Sequence, residues 1–296
     1  MKNIVDCIPC LVRQASEAIA FCVTDGARRA DIMRHVLSEL ARIEWNAVPP
    51  ATAQVLHRQI RKETGTADPY RSMKESANRI AMELLPCLKN AARMEEVPGT
   101  AMVRVAVAGN LLDAGSKTGL SEAEIRTALC RACRGECIHG LARNLFDAAQ
   151  QARHTLYLAD NAGEIVLDRA LIEMLPVAKM TVGVRGSAVI NDATLADAEA
   201  AGLPGIVSVI PNGSDAPGTL LDDCSPEFRR VFEESDLIIA KGQGNYESLS
   251  DTAKHAFFLM YVTCPLVTAH AGIPVGAMGI CERNGVTEKT RTCILQ

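Results

Sequence analysis

The first half of the chain has apolar residues spaced three and four positions apart, which is the pattern of amphipathic helices. The same segments are rich in alanine, the residue with the highest helix propensity. Helices are predicted over residues 11–22, 31–43, 52–64, 70–89, 101–112 and 141–152. Ser121, with Glu124 three residues later, is a capping-box pattern that predicts one more helix start. Residues 1–152 are therefore predicted to form a helical domain.

From about residue 153 the pattern changes to short apolar runs that alternate with helical segments. Strands are predicted at residues 155–159, 180–184, 206–210, 237–240 and 266–269. Helices are predicted at residues 165–175, 193–200, 225–234 and around 251–261. Strands that alternate with helices imply a parallel sheet that is covered on both faces. We therefore predict an α/β fold for residues 153–296, built on a doubly wound, mostly parallel sheet.

Polar residues follow the predicted strands, at the points where doubly wound sheets bind their ligands. They occupy residues 160–161 after the first strand, 185–187 after the second, 212–214 after the third and 241–245 after the fourth. These segments combine oxygen ligands, cations that pair with phosphate, and glycines that let backbone N–H groups approach an anion. The four segments are predicted to converge on a site for a hard metal ion and a phosphoryl group.

The residue types alone leave two interpretations open at these segments. Asp160 and Asn161 supply a carboxylate and an amide carbonyl, which suit Mg²⁺ or Mn²⁺. They could equally cap the helix that follows, and Asp192 could cap the next one. Arg185 and Lys241 could bind phosphate or be surface charges, although each directly follows an apolar strand and precedes a glycine.

Composition and charge exclude several classes of protein. With 48% apolar and 22% charged residues, the chain has the composition of a globular protein rather than a disordered one. A net charge of −4 gives no general attraction to nucleic acid or to an anionic membrane, so neither is expected as a partner. Residues 1–10 lack the apolar core of a signal peptide, and prolines and glycines interrupt the uncharged run 257–280. We expect a cytoplasmic protein.

The chain has eleven cysteines and no secretion signal, which indicates free thiols in a reducing compartment. Cys7 and Cys10 form a C-x-x-C pair that could be redox active, buried at a helix start, or half of a structural Zn²⁺ site. Two of Cys130, Cys133 and Cys137 would complete such a zinc site. The pair lies far in sequence from the strand ends, and hydrolysis with a hard metal needs no thiolate. We therefore predict that the pair is dispensable for the chemistry.

The order of these motifs resembles the damage-control phosphatase family, also called the ARMT1-like or DUF89 family, and most of all its compact prokaryotic branch with an N-terminal cysteine pair. The resemblance runs along nearly the whole chain. It rests on Cys7 and Cys10 with Gln14, residues 68–70 (DPY) with Lys74 and Asn78, residues 108–110 (AGN) with Asp113, residues 160–164 (DNAGE) with Asp168, Asn191 with Asp192, and residues 241–247 (KGQGNYE).

The resemblance implies a helical N-terminal region packed on a Rossmann-like α/β domain. It also implies a divalent metal ion (Mg²⁺, Mn²⁺, Co²⁺ or Ni²⁺) held by Asp160, Asn161 and Asp192. The substrate-binding residues that it implies near the phosphate are Lys241, Gly242, Asn245, Arg185 and Ser187. The catalytic residues that it implies are Asp160, Asp192, Glu164 and Lys241, with Glu164 as a candidate general acid or base.

These expectations combine into one predicted function with two alternatives. The predicted function is divalent-metal-dependent hydrolysis of small phosphorylated metabolites, either sugar phosphates or cofactor-related and damaged metabolites. The first alternative is an S-adenosylmethionine-dependent carboxyl methyltransferase, but no G-x-G-x-G loop follows the first predicted strand. The second alternative is a non-catalytic metal-binding or zinc-binding module built around the cysteines.

Overall fold

The helical half of the chain forms as the apolar spacing predicts. The computed structural model describes residues 1–112, 122–132, 139–285 and 291–295. The helices described in this half are α1 Cys7–Cys22, α2 Gly26–Leu40, α3 Pro49–Thr64, α4 Arg71–Arg93, α5 Pro98–Ala108, α6 Glu122–Ala132 and α7 His139–Gln151. Pro49 and Pro98 lie in first turns, where a backbone N–H has no helical partner to lose. The predicted cap at Ser121 lies outside the described residues.

The second half of the chain forms a sheet with helices between its strands. The described strands are β1 Thr155–Leu158, β2 Met180–Val184, β3 Ser208–Pro211, β4 Leu237–Lys241, β5 His255–Tyr261, β6 Met278–Asn284 and β7 Arg291–Leu295. The described helices are α8 Glu164–Ile172, α9 Leu195–Ala200, α10 Pro226–Glu234, α11 Gly242–Leu249 and α12 Pro265–Ala271. The strand order is β3-β2-β1-β4-β5-β6-β7, with β1 to β5 parallel and the last two antiparallel. The strand order reverses between β1 and β4, which is where doubly wound sheets bind ligands.

Helices cover both faces of this sheet. Alternate residues such as Tyr157 and Ile239 pack into one buried cluster with residues of α4, α5, α7 and α8. Their neighbours Leu156 and Ile238 pack on the opposite face with residues of α10, α11 and α12. Strands buried on both faces read as continuous apolar runs, which is why the alternation of runs and helices predicted the sheet correctly. The predicted mixed α/β fold is confirmed.

Two assignments near the end of the sheet are wrong. The segment around 251–261 was expected to be helical, but it contains strand β5, and the predicted strand at 266–269 lies within helix α12. A short apolar run does not distinguish a buried strand from a helix by spacing alone, and aromatic Phe257 and Phe258 favour the strand. Pro265 is the first residue of α12 and Gly272 directly follows its last residue, which are the usual positions of proline and glycine at helix ends.

The uncharged run 257–280 thus contains the end of β5, all of α12 and the start of β6. Among the described helices, none combines the length and the apolar character needed to cross a membrane.

Helices α1, α2 and α3 form a third buried cluster that reaches the carboxyl end of β2. Leu11, Ile32 and Leu56 of these helices share the cluster with Ile190, which follows β2. Arg58 of α3 also forms an ion pair of 2.5 Å with Asp215, in the loop after β3. The N-terminal helices are therefore held against the edge of the sheet where the predicted ligands lie.

Candidate functional site

A cavity of about 430 Å³ opens at the carboxyl ends of the parallel strands. One wall is formed by the turns after β1 and β2, with Asp160, Asn161 and Asp192 among the lining residues. The facing wall is formed by the first turns of α1, the start of α3, part of α11 and the segment after β5. The three predicted metal ligands therefore line one cavity at the topological switch point.

Backbone pairing between two turns brings the predicted ligands together. The backbone N–H of Ala162 donates to the carbonyl of Asn191 (2.9 Å), and that of Ala193 donates to the carbonyl of Asp160 (2.7 Å). Asn161 and Asp192 consequently form an isolated antiparallel bridge. The turn after β1 is also held from α4, because the backbone N–H of Gly163 donates to Asn78 Oδ1 (2.6 Å). The two turns that carry the ligands are thus joined by backbone hydrogen bonds, and the Asn78 side chain holds the first of them.

Arg185 lies buried between two of the predicted ligands. Its Nε donates to Asp192 Oδ2 at 2.6 Å, and its Nη2 lies 3.7 Å from Asp160 Oδ1. Nη1 donates to Asn245 Oδ1 at 3.2 Å, whereas Nη2 has no hydrogen-bond acceptor among the described residues. A guanidinium that is 2% exposed and flanked by carboxylates is not a surface charge. It neutralises part of the negative charge of Asp160 and Asp192, which together with Asn161 we call the ligand cluster.

Asn245 and Gly242 shape the turn from β4 into α11. Asn245 Nδ2 donates to the carbonyl of Ala159 at 3.2 Å and to that of Lys241 at 2.8 Å, so the side chain joins the ends of β1 and β4. Gly242 has a backbone φ of +75°, and a Cβ atom at this position would overlap the carboxylate of Asp160. These two residues position the ligand cluster, and neither lines the cavity.

Lys241 is fully buried beneath the cavity rather than in its wall. Its Nζ donates to the carbonyl of Ala106 (2.9 Å), to Glu164 Oε1 (2.5 Å) and to Asp168 Oδ1 (2.6 Å), which accounts for all three N–H donors. Burial alone would lower the pKa of Lys241, but the charges of Asp168 and Glu164 outweigh that effect and raise it. Lys241 was expected near the phosphate, whereas the structure places its ammonium inside the protein.

Glu164 joins Lys241 to the metal ligands. Its Oε1 also accepts a hydrogen bond from Asn110 Nδ2, and its Oε2 accepts one from Asn161 Nδ2 at 3.0 Å. The Glu164 side chain is fully buried and does not line the cavity. Its position suits the orientation of the Asn161 amide. The sequence-based role of Glu164 as a general acid or base would require contact with the cavity.

Asp168 is the second carboxyl group that contacts Lys241. It lies one helical turn beyond Glu164 on α8, and both carboxyl groups face Lys241. Burial raises the pKa of Asp168 to about 7, and the neighbouring charge of Glu164 adds to this while Lys241 opposes it. The phenol of Tyr157 lies beside Asp168, and burial raises its pKa well above the ordinary value. Glu164 and Asp168 thus have one buried cation, Lys241, as their common partner.

Two further expectations concern Ser187 and the cysteines. Ser187 is exposed in the bend after β2 and does not line the cavity. Cys7 belongs to the buried cluster of α1 to α3, whereas Cys130 packs against a different cluster, the one that contains Tyr157 and Ile239. Cys133 and Cys137 lie outside the described residues, so the zinc pairing stays a prediction.

Comparison with known proteins agrees with this architecture. The model of the damage-control phosphatase ARMT1-like domain matches residues 4–278. The chain belongs to this family. It is 35% identical over 230 residues to a damage-control phosphatase of Archaeoglobus fulgidus, covering 75% of this chain and 78% of the relative. It is 33% identical over 289 residues to an uncharacterized protein of Methanocaldococcus jannaschii, covering 94% of each chain.

A third relative also has a solved counterpart in the same organism. The chain is 28% identical over 293 residues to a damage-control phosphatase of Pyrococcus horikoshii, covering 96% of this chain and 99% of the relative. The crystal structure of a DUF89 family protein from Pyrococcus horikoshii superposes with a TM-score of 0.85 at 29% identity. That superposition covers 94% of this chain and 98% of the solved one. The family resemblance and the fold inferred from the motifs are thus confirmed.

The cavity of this family member has a second wall that the strand-end rule does not find. Cys7, Cys10, Gln243, Glu247 and Cys264 all line it. Gln243 and Glu247 lie four residues apart on α11 and share a helical face. A signal for the second wall was present in the motif at 241–247, but only the folded structure shows that the cysteines of α1 line the same cavity.

Proposed function

We propose that this chain is a divalent-metal-dependent phosphatase for small phosphorylated metabolites, with the metal held by Asp160, Asn161 and Asp192. The names of two relatives support a phosphatase role. The observation that carries the metal dependence is a group of buried and half-buried charged side chains beside the cavity, in which negative charges outnumber positive ones. This group, which we call the charge cluster, consists of Asp160, Asp192, Arg185, Glu164, Asp168 and Lys241.

The charge cluster has an excess of negative charge. Its four carboxyl groups face the two cations Arg185 and Lys241, so full ionisation leaves two negative charges. A proton on Asp168, whose pKa is raised to about 7, would reduce this excess to one. Buried charge without a counter-ion is unfavourable in a region of low dielectric constant. A divalent cation at the cavity end of the cluster would offset this excess of negative charge.

The residues facing the cavity fit such a cation. Asp160, Asn161 and Asp192 offer carboxylate and amide oxygens, the donor set of hard divalent ions such as Mg²⁺, Mn²⁺, Co²⁺ or Ni²⁺. When bound, the ion would supply neutralising charge for a phosphoryl oxygen and a water of lowered pKa. The three ligands come from adjacent turns that are joined by backbone hydrogen bonds, so little reorganisation is needed on binding.

The remaining members of the cluster act on these ligands. Arg185 holds the Asp192 carboxylate through Nε, and its Nη2 is a donor available to an oxygen of a bound phosphoryl group. Lys241 donates a hydrogen bond to Glu164, and Glu164 in turn accepts one from the Asn161 amide and orients it. In this proposal Lys241 is a positioning residue, because its three donors are satisfied inside the protein.

The cavity limits the size of the substrate. About 430 Å³ is within the range of pockets that take small organic ligands. Its far wall is made by the first turns of α1 and by Pro49 and Pro50 of α3, so the helical half closes over the strand ends. A small phosphorylated metabolite would place its phosphoryl group against the ligand wall and the rest of the molecule against these helices.

The test is a screen of phosphorylated metabolites with chelator-treated protein to which single metals are returned. Phosphate release is expected only with a divalent metal, and Asp160→Asn should lose both release and metal binding. Asp236→Asn is the matched control, because Asp236 pairs with Arg153 outside the charge cluster. Release in chelator at the rate with metal would overturn the metal dependence. Methyl transfer from S-adenosylmethionine without phosphate release would overturn the phosphatase assignment.

A further inference from the structure

The second wall of the cavity contains a pair of thiols at the start of α1. Cys7 and Cys10 lie in the first turns of this helix and line the same cavity as Asp160 and Asp192. An α-helix rises about 1.5 Å per residue and has its Cα atoms at a radius of about 2.3 Å. The Cα atoms of residues three positions apart are therefore about 5 Å apart. Disulfides join Cα atoms about 4.4–6.8 Å apart, so the two cysteines are within bonding range.

The two sulfurs differ in their surroundings. Cys10 is exposed, and its Sγ accepts hydrogen bonds from Arg13 Nη2 at 3.8 Å and Gln14 Nε2 at 3.7 Å. Cys7 is 9% exposed and packs in the apolar cluster of α1 to α3 with residues such as Leu11. A reagent entering from solvent therefore meets the more exposed Cys10 first, and Cys7 is placed to react next with a sulfur bound on Cys10.

A carboxyl group lies near the buried thiol. Glu247 of α11 lines the cavity, and its charge acts on both Cys7 and Cys264. Burial raises the pKa of Glu247 to about 7, and the Met1 ammonium opposes this shift. Burial also raises the pKa of Cys7, with the charges of Glu247, Cys10 and Asp6 adding to it. Since the thiolate is the reactive form, Cys7 needs a proton acceptor, and Glu247 lines the same cavity as Cys7.

We propose that Cys7 and Cys10 form a reversible disulfide by exchange with a low-molecular-weight disulfide, with Glu247 accepting the proton of Cys7. The contacts that support this site do not depend on the proposed hydrolysis. Its reagent is defined by chemistry: a small molecule that carries a disulfide bond and can reach an exposed thiol at the cavity mouth.

The exchange takes place in two balanced steps. First, the Cys10 thiolate attacks one sulfur of the small disulfide, whose S–S bond breaks; a mixed disulfide forms on Cys10 and one small thiolate leaves. Next, the Cys7 proton passes to Glu247, and the Cys7 thiolate attacks the Cys10 sulfur. The internal disulfide forms and the second small thiolate leaves. Two electrons pass from the cysteine pair to the small disulfide, and the two released thiolates take up the two thiol protons through solvent.

The chain offers a clean readout for this proposal. Trypsin cuts after Lys2 and Arg13, so residues 3–13 form one peptide that contains Cys7 and Cys10 and no other cysteine. Residues 80–89 form a second peptide with Cys87, an exposed cysteine without a neighbouring thiol in sequence. Native full-length protein is treated with oxidised glutathione, alkylated, digested and analysed by mass spectrometry. The expected products are an internal disulfide in residues 3–13 and a mixed disulfide on Cys87.

Single variants separate the two steps. Cys7→Ser should accumulate the mixed disulfide on Cys10, whereas Cys10→Ser should leave Cys7 reduced. Glu247→Gln should form the mixed disulfide at the wild-type rate and close it more slowly. A peptide 3–13 that stays reduced, or that carries only a mixed disulfide while the protein is folded, overturns the proposed site. Closure at the wild-type rate in Glu247→Gln overturns the role of Glu247.

Discussion

The carboxylate of Asp160 lies directly against the backbone of Gly242. A Cβ atom at position 242 would overlap Asp160 Oδ2, and the backbone there is left-handed, with a φ of +75°. Glycine thus meets two requirements at once: it adopts the turn without strain and leaves room for the carboxylate. The end of β4 and the turn after β1 fit together only with this residue.

Gly242→Ala should weaken metal binding and turnover together, because the new methyl group displaces the Asp160 carboxylate. The left-handed backbone adds a cost of about 1–2 kcal/mol in the free energy of unfolding. Calorimetric titration with Mn²⁺ and a melting curve measure the two effects. Gly26→Ala is the control, since a Cβ atom there meets nothing within 4 Å. Unchanged Mn²⁺ affinity in a folded Gly242→Ala protein would contradict the proposed position of the metal.

Asp160→Ala and Asp192→Ala should both abolish hydrolysis, but they should differ in stability. From sequence alone, both are expected to keep or slightly raise the stability of metal-free protein, since each removes a repelling carboxylate. The structure shows that Asp192 accepts a 2.6 Å hydrogen bond from buried Arg185, whereas Asp160 lies 3.7 Å from the same guanidinium. Loss of a partner in a buried pair costs about 3–5 kcal/mol, less here because Asn245 still accepts from Arg185.

Denaturant unfolding in chelator measures this difference between the two variants. Asp192→Ala should lower the free energy of unfolding, Asp160→Ala should leave it nearly unchanged, and Asp192→Asn should restore most of the loss. Equal effects of the two alanine variants would show that the Arg185–Asp192 contact contributes no net stability. Near-full turnover with saturating metal in either alanine variant would exclude that residue as a ligand.

Lys241→Met tests whether Lys241 contacts phosphate or supports Glu164. Removing the ammonium leaves Glu164 and Asp168 buried without a cation, which should lower the free energy of unfolding by about 3–5 kcal/mol. The loss should shrink at low pH, where protonation of Asp168 leaves less negative charge without a partner. A phosphate-binding lysine would instead raise KM with little change in stability. Urea unfolding at pH 5 and pH 8, with KM measured on the same preparation, distinguishes the two roles.

The position of the site could be predicted because it follows from strand direction. The carboxyl ends of parallel strands lie at one edge of a sheet, so the residues after β1, β2 and β4 lie close together whatever the orientation of their side chains. Asp160, Asn161 and Asp192 are together for that reason. The same rule does not say which way a side chain points. The Lys241 side chain is buried because it forms ion pairs with Glu164 and Asp168 of α8. Those pairs are tertiary contacts, which the strand-end rule does not predict.

Two other features have no sequence signal. Ile190 adopts a φ of +44°, a conformation that β-branched residues rarely enter, and it directly precedes Asn191 and Asp192. Nothing in an isoleucine between a valine and an asparagine predicts this turn. The thiols of α1 are likewise far in sequence from the strand ends, and only the packing of α1 to α3 over the sheet brings them to the cavity. Local patterns predict elements, whereas such contacts depend on the assembled fold.

Asp168→Asn should flatten the pH dependence of stability between about pH 4 and pH 7. The pKa of Asp168 is raised from 3.8 in the unfolded chain to about 7 in the folded protein, with burial as the main cause. In this window the folded state keeps a proton that the unfolded state releases, so the free energy of unfolding falls as the pH rises. Asparagine cannot ionise, so the variant lacks this part of the fall.

Urea unfolding in chelator is measured at about pH 4, about pH 5.5 and about pH 7.5, which together span the expected window. Glu247→Gln is the parallel control, because burial also raises the pKa of Glu247 to about 7 and its removal should flatten the same window independently. Additive effects in the double variant would show that the two carboxyl groups titrate separately. A slope unchanged by Asp168→Asn would mean that its carboxyl keeps an ordinary pKa beside Lys241.

The cysteine pair should be dispensable for hydrolysis yet necessary for its sensitivity to oxidation. The reacting groups assigned to the phosphoryl transfer are oxygen ligands and Arg185, so a Cys7→Ser, Cys10→Ser double variant should retain much of the wild-type turnover. A disulfide would remove the contacts that Cys10 makes with Arg13 and Gln14 on the cavity wall, so oxidised wild-type protein should turn over more slowly. Serine at both positions cannot form that bond.

Turnover is measured for both proteins before and after treatment with oxidised glutathione, and again after dithiothreitol. The wild type should lose and regain activity while the double variant stays constant. If turnover vanishes in a reduced double variant that melts normally, the thiols belong to the mechanism itself.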